Sequence, residues 1–403
     1  MQTASDVRNH GASEDMPSLS RFSSRRPAYQ TDQRASLDWI AEAHAASAAV
    51  REGLTESARV ALRDRVRRVI DRCACGPEHI RRRGHVLAEI GSTAWDQAAL
   101  YDLERHPHGR GSGERSRVFA DIVGAYLEAE YEADTAPPRD LIHVTCTGYV
   151  SPSAAQRVVD RKRWGDRTRV THAYHMGCYA AFPAIRLAIG ALRTPAPLAP
   201  AGATGRVDVV HTELCSLHFD PGTTSIEQLV VQSLFADGFI RYAVTDGSTG
   251  APKEPSLRVL ALAEAIVPDS ADAMGWMMSD YGMEMILDRN VPEHIGRVLR
   301  GFVSELYRRA GLDLGAHLGR SVAAVHPGGP RIIDRVREVL ELDQDQVRLS
   351  REVLSDYGNM SSATLPHIWM RALDDPSVPA GALVLSLAFG PGLTVCGGLF
   401  QKA

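Results

Sequence analysis

The chain of 403 residues has little cysteine, six in all, without a framework spacing. That excludes a disulfide scaffold and suits a reducing compartment. Cys73-Ala74-Cys75 is a C-x-C pair with no matching second pair, so no metal site is expected. No uninterrupted apolar run reaches the length of about eighteen residues that a membrane span needs. The first residues also lack the compact apolar segment of a secretory signal. A cytoplasmic location follows as the expectation. A basic excess is missing too, since the formal net charge is −4, and nucleic acid is therefore not an expected partner.

What is present is core material. Hydrophobic residues make up 44% of the chain, enough for two domains or one large double unit. Residues 1–35 are polar, rich in Ser and Arg and without apolar periodicity, and are expected to form a disordered tail. Helical spacing runs from Leu37 to Ile70. Short apolar strands follow at Leu141–Val144, Val170–Ala173, Val207–Val210 and Phe239–Val244, with helical patterns between them. The polar Gly/Pro stretch from Asp246 to Pro255 divides a half over 36–250 from a half over 251–403. The second half repeats the style, with strands at Ser321–Val325 and Leu383–Phe389. Alternating strands and helices predict an α/β fold, made here of two similar halves with a site where they meet.

Three glycine-bearing turns each present one chemically able residue: Cys178, His326 and Asn359. A lone cysteine is more often a small apolar residue than a nucleophile. At a strand-to-helix elbow, however, unpaired N–H groups and the helix dipole favour the thiolate. Together the three residues are complementary tools. Cysteine holds an acyl group as a thioester. Neutral histidine exchanges a proton and donates to an oxygen gaining charge. The asparagine amide donates to the same oxygen. His175, three residues before Cys178, reads as structural.

The motifs around these residues resemble one family. They are Gly177-Cys178-Tyr179-Ala180, Leu234-Phe235-Ala236-Asp237-Gly238, His326-Pro327-Gly328-Gly329-Pro330, Tyr357-Gly358-Asn359-Met360-Ser361-Ser362-Ala363 and Gly390-Pro391-Gly392-Leu393-Thr394-Val395. In order and spacing the chain, over roughly residues 60–403, resembles the type III polyketide synthases, the chalcone-synthase-like branch of the thiolase superfamily. The resemblance implies a five-layered αβαβα thiolase-like fold, a homodimer, and decarboxylative Claisen condensation of acyl thioesters without a bound cofactor. It gives Cys178 the acyl group and gives His326 and Asn359 the enolate. It makes Phe235 a gate between tunnel and cavity and Met285 a second gate position. Cyclisation to a pyrone or a resorcinol-type ring is the implied ending. The alternatives are a ketosynthase joining two carrier-bound β-ketoacyl chains into an α-pyrone, or a non-decarboxylative acyltransferase. A non-catalytic partner of a true synthase would be expected to have a broken triad.

The departures concern substrate. Cys146, Thr147, Cys215 and His218 stand where the family usually carries Thr and Ser, and Ser151 stands where a methionine often reaches into the partner subunit. The cations that usually flank the position of Cys75, and hold the phosphates of coenzyme A, are mostly absent. Arg72, Arg81 and Arg82 are the expected dock for a phosphopantetheine arm or an acidic acyl carrier protein. Acyl-coenzyme A and acyl carrier protein are both retained as donors.

Overall fold

The apolar strands do pair, and the polar tail joins them. A computed structural model describes residues 16–247 and 254–403. Its first half runs β1 (Ser18–Arg25), β2 (Tyr29–Asp32), α1 (Gln33–Glu52), α2 (Glu56–Cys73), β3 (Arg82–His85), α3 (Ser112–Glu130), β4 (Asp140–Thr145), α4 (Ala154–Arg161), β5 (Arg169–Tyr174), α5 (Ala181–Leu192), β6 (Arg206–Leu214), α6 (Ile226–Leu234) and β7 (Asp237–Thr245). The second half opens with β8 (Leu257–Ile266), β9 (Met274–Ser279), β10 (Gly282–Leu287), α7 (Val291–Arg309) and α8 (Leu314–His317). It continues with β11 (Val322–Val325), α9 (Pro330–Leu340), α10 (Arg348–Tyr357), α11 (Thr364–Asp374), β12 (Leu383–Gly390) and β13 (Thr394–Lys402).

Nine strands form one sheet in the order β11-β12-β13-β8-β1-β7-β6-β4-β5. It is two arms joined at one narrow point, where β1 meets β8 through Ser18 and Leu19. Each arm has a parallel pair followed by antiparallel strands: β4 beside β6, then β7 and β1, and β11 beside β12, then β13 and β8.

The layers follow from which faces are apolar. One buried cluster joins α5 (Phe182, Ile185, Ala188) and α11 (Leu365, Ile368, Trp369) to strands of both arms. These helices are apolar around most of their circumference, as a central layer requires. A second cluster packs α7 and α9 on the outer face of the second arm. A third packs α1, α3 and α4 on the outer face of the first. Outer helices, arm, central helices, arm and outer helices give the five-layered αβαβα arrangement. Among the described residues no helix is long and apolar enough to cross a membrane.

One expectation is corrected. Residues 18–32 are not a tail: β1 pairs with β7 along Ser18–Arg25, and Leu19 is buried in the central cluster. Ser18 and Ser20 are buried as well, because a central strand takes its stability from backbone pairing on both sides, whatever its side chains. Residues 1–15 and part of the expected boundary, 248–253, lie outside the described residues.

The cores also bury imidazoles. Burial pushes His143, His211 and His326 down to about 3 and His367 to about 4. The unfolded chain binds these protons near pH 6.5 and the folded chain does not. Their contribution is therefore intact above that value and lost as pH falls towards 4, by up to about 1.4 kcal/mol per histidine per pH unit. Buried Asp208, Glu213 and Asp237, whose carboxyls are raised by burial, oppose the trend. The four histidines outnumber them and begin to titrate at higher pH. We therefore expect the urea midpoint to fall between pH 7 and pH 5. A flat or rising midpoint would contradict neutral burial of these rings.

Candidate active site

Cys178 sits where β5 turns into the central layer. His175 and Gly177 take positive φ values of 61° and 73°, which reverse the chain in three residues. A Cβ on Gly177 would lie 2.6 Å from Cδ of Pro391, so only glycine allows this turn to rest on the loop after β12. A short 3-10 turn over Gly177–Tyr179 then leads into α5. The His175 ring lies 2.7 Å from the carbonyl of Trp276, which supports its reading as structural.

Asn359 reaches the same place from the second half. Its backbone N–H donates to the Leu234 carbonyl at 2.9 Å, and its carbonyl accepts from the Ala236 N–H at 2.9 Å, so it is bridged to Phe235. Its Oδ1 accepts from the Ser361 N–H at 2.9 Å and from the Thr364 hydroxyl at 3.4 Å. With the oxygen held by two donors, the NH₂ must face the other way. From there it draws the Cys178 thiol's pKa down. Ser361 Oγ lies 3.8 Å from Cys178 Sγ and 3.0 Å from Cys146 Sγ.

Glu213, at the end of β6, is fully buried beneath this group. It accepts from the Cys146 N–H and the Thr147 hydroxyl, both at 3.0 Å, from the Cys146 thiol at 3.3 Å, and from the Ser362 hydroxyl. Burial raises its carboxyl despite these donors. Burial also pushes the Cys178 thiol up to about 12; Ser361 and Asn359 draw it down and the Glu213 charge adds to the rise. Burial thus opposes the thiolate that the helix end favours at this elbow.

His326 follows β11, and its N–H donates to the Leu387 carbonyl of β12 at 2.8 Å. The ring is buried, and neither Nδ1 nor Nε2 has a partner among the described residues. Two unsatisfied ring nitrogens are costly in a core. They are what a neutral imidazole needs if it is to act on something that arrives.

Two cavities divide the remaining residues. The inner one, about 20 Å³, is lined by Cys178, Cys146, Thr147, Met285 and Ser361. That volume holds about one water and no acyl chain. The outer one, about 80 Å³, is lined by Arg83, His218, Gln228 and Gln232. Phe235, Cys215 and Trp276 line both, so they form the wall between them. Phe235 stacks on Trp276 with ring centroids 6.3 Å apart, and the indole N–H donates to the Cys146 carbonyl at 2.7 Å. The Thr147 hydroxyl is engaged by Glu213 and Leu214, so its role is structural. His218 must carry its proton on Nε2, which donates to the Thr147 carbonyl at 2.8 Å. Trp276 and Glu213 are site residues that the sequence reading missed. Glu213 had a signal, a carboxylate at the end of an apolar strand. Trp276 had none, lying in a methionine-rich hairpin.

Trp276→Ala should merge the two cavities. We expect acylation of Cys178 by long-chain thioesters to rise at least about tenfold and acetyl transfer to stay within about twofold. The stability loss should be below the ~3–5 kcal/mol of a fully buried aromatic, because Trp276 is only half-buried. An unchanged chain-length profile would show that the wall is elsewhere.

Of the expected dock, Arg72 is exposed, Arg81 is ion-paired with Asp356, and Arg82 is half-buried. Its neighbour Arg83 is structural, donating to Gln33, the Gln232 carbonyl and the Phe235 carbonyl at 2.7–2.9 Å.

Residues 258–402 match the chalcone and stilbene synthases, C-terminal domain. The chain is 31% identical over 283 residues to the 1,3,6,8-tetrahydroxynaphthalene synthase of Streptomyces coelicolor, a match covering 70% of each. It is 31% identical over 267 residues to the probable polyketide synthase 1 of Dictyostelium discoideum; that match covers 66% of this chain but only 8% of that much longer protein. In fold it is similar to the C-terminal type III polyketide synthase domain of Steely1, a type I/III hybrid from Dictyostelium (TM-score 0.76, 22% identity, 96% of this chain and 99% of that one). It is likewise similar to PKS-I of the brown alga Ectocarpus siliculosus (TM-score 0.78, 18% identity, 96% and 99%).

Proposed function

This chain belongs to the type III polyketide synthases, and from that premise we propose that it joins acyl thioesters by decarboxylative Claisen condensation at Cys178. The observation that carries the proposal is the convergence of the Asn359–Ser361 turn of the other half on one buried thiol, with Ser361 Oγ 3.8 Å from Cys178 Sγ and the Asn359 amide lowering the thiol's pKa. Cys178 Sγ attacks the carbonyl of an acyl thioester, and its proton passes to a ring nitrogen of His326. The donor's thiol leaves with that proton. A malonyl-type thioester then enters and loses CO₂. The electron pair moves onto the thioester oxygen, where the His326 N–H and the Asn359 NH₂ stabilise the enolate. Its carbon attacks the acyl group, the C–C bond forms, and Cys178 leaves as the thiolate, which takes up a proton from solvent. Phe235 and Trp276 must move for either substrate to pass, because the inner cavity is too small as it stands.

A lactone or aldol closure would end the sequence. A second reading, the union of two carrier-bound β-ketoacyl chains into an α-pyrone, is supported by the segment around Cys75, Ile70-Asp71-Arg72-Cys73-Ala74-Cys75-Gly76-Pro77, which carries only one cation. Intact-mass measurement tests the common step. The wild-type protein should gain one acyl mass, mapped to Cys178, and release one CO₂ per bond formed from a malonyl donor. Acyl mass on another cysteine, or bond formation without CO₂, would overturn the assignment.

A further inference from the structure

Helix α2 carries two rows of arginine. Arg59, Arg63 and Arg67 face α1 and are ion-paired with its carboxylates: the first two with Glu42 at 2.9 and 3.0 Å, the third with Asp38 at 2.6 Å. Arg65, Arg68 and Arg72 are exposed and, among the described residues, have no carboxylate partner. Their spacing of three and four puts them on one stripe about 10 Å long. Like charges at that spacing weaken a helix, and no ion pair within the fold accounts for the row.

The end of α2 is also fastened to α6, a helix that lines the outer cavity. Two residues past α2, the Cys75 N–H donates to the Ser233 hydroxyl of α6 at 3.0 Å, and Gln33 donates to the Ser233 carbonyl at 2.8 Å. α6 then supplies Val231, Gln232 and its C-cap Phe235 to the cavity wall. The C-terminal end of the row is therefore tied, through Cys75 and α6, to the helix that supplies the wall of the outer cavity.

We propose that Arg65, Arg68 and Arg72 dock an acidic acyl carrier protein, whose thiol-ended arm delivers the acyl group through the outer cavity. The inference rests on the thioester chemistry proposed for Cys178. An extended row of planar, permanently charged guanidinium groups suits the carboxylates of a facing helix. The chain as a whole is negative, at −4, so the attraction is local and sets where the partner lands. The transfer balances: the carrier's C–S bond breaks, the Cys178 C–S bond forms, and the Cys178 proton leaves with the carrier thiol.

The test combines the variant Arg65→Glu/Arg68→Glu/Arg72→Glu with three donors of the same hexanoyl group: a purified acidic acyl carrier protein, coenzyme A and N-acetylcysteamine. The acyl adduct on Cys178 is the readout. We expect kcat/KM with the carrier protein to fall about 10- to 100-fold, and its dependence on salt to flatten. The N-acetylcysteamine donor should load within about twofold of wild type, which also shows that the variant is folded. Wild-type protein that loads from N-acetylcysteamine but not from the carrier overturns the docking proposal and leaves the Cys178 reading standing. An equal loss with coenzyme A makes the row a nucleotide-phosphate site and overturns it too. Wild-type protein that loads from none of the three overturns the Cys178 reading itself.

Discussion

Cys178→Ala protein offered an acyl thioester should gain no covalent mass, and its product formation should fall by at least about 10⁴-fold, the scale set by removal of a catalytic nucleophile. The size of the effect depends on whether another thiol can substitute. Cys146 and Cys215 line the same inner cavity. Burial raises both far above the ordinary thiol range, and the Glu213 charge raises them further. Cys146 also directs its proton to that carboxylate at 3.3 Å. Neither has the Asn359 amide that draws Cys178 down. Loss of a buried thiol is small in volume, so the variant should melt close to wild type. Cys178→Ser, which keeps a hydroxyl at the elbow, is the second test and should be nearly as inactive. A Cys178→Ala protein that still makes product would remove the nucleophile from this account and revive a supporting role beside another synthase.

The state of that thiol separates what the residues reveal from what packing adds. A helix N-terminus stabilises an anion by up to about 2 kcal/mol. Complete burial shifts a pKa by as much as three to five units, about 4–7 kcal/mol, in the opposite direction. Sequence displays the first effect and hides the second, so the thiolate expected at the elbow is opposed by the packing around it. Other parts were legible for clear reasons. Cys178, His326 and Asn359 lie on glycine turns whose chemistry is local, and β4, β6 and β12 are apolar enough to announce themselves. β1 was not legible, because Ser18-Leu19-Ser20-Arg21 owes its place to β7 and β8. The β9–β10 hairpin was also missed. Methionine is a weak strand signal, and the hairpin's turn at Asp280-Tyr281 carries no glycine until Gly282. That hairpin brings Trp276 against Phe235, so the wall of the cavity came from the segment with the least readable pattern.

Asn359→Ala should leave acylation of Cys178 within about threefold of wild type and lower condensation by about 10²–10³, the usual effect of deleting one donor to a developing oxyanion. The split follows from the geometry. Acyl transfer to the thiol needs Cys178 and a proton acceptor, and the amide assists only by lowering the thiol's pKa. Decarboxylation puts a full negative charge on an oxygen, and there the NH₂ is one of the two proposed donors. Its direction is fixed, since Ser361 and Thr364 hold Oδ1. Asn359→Asp should be worse than Asn359→Ala. It replaces the NH₂ with an acceptor oxygen and adds a second carboxylate near Glu213, which repels both the thiolate and the enolate. Asn359→Ala also strands the Ser361 N–H, at about 1–3 kcal/mol, so each variant is melted alongside. If the two steps fall together in a protein that melts normally, Asn359 is a positioning residue for Cys178. If only the carbon–carbon bond is lost, the asparagine and the cysteine divide the reaction between them, one holding the acyl group and the other the charge that attacks it.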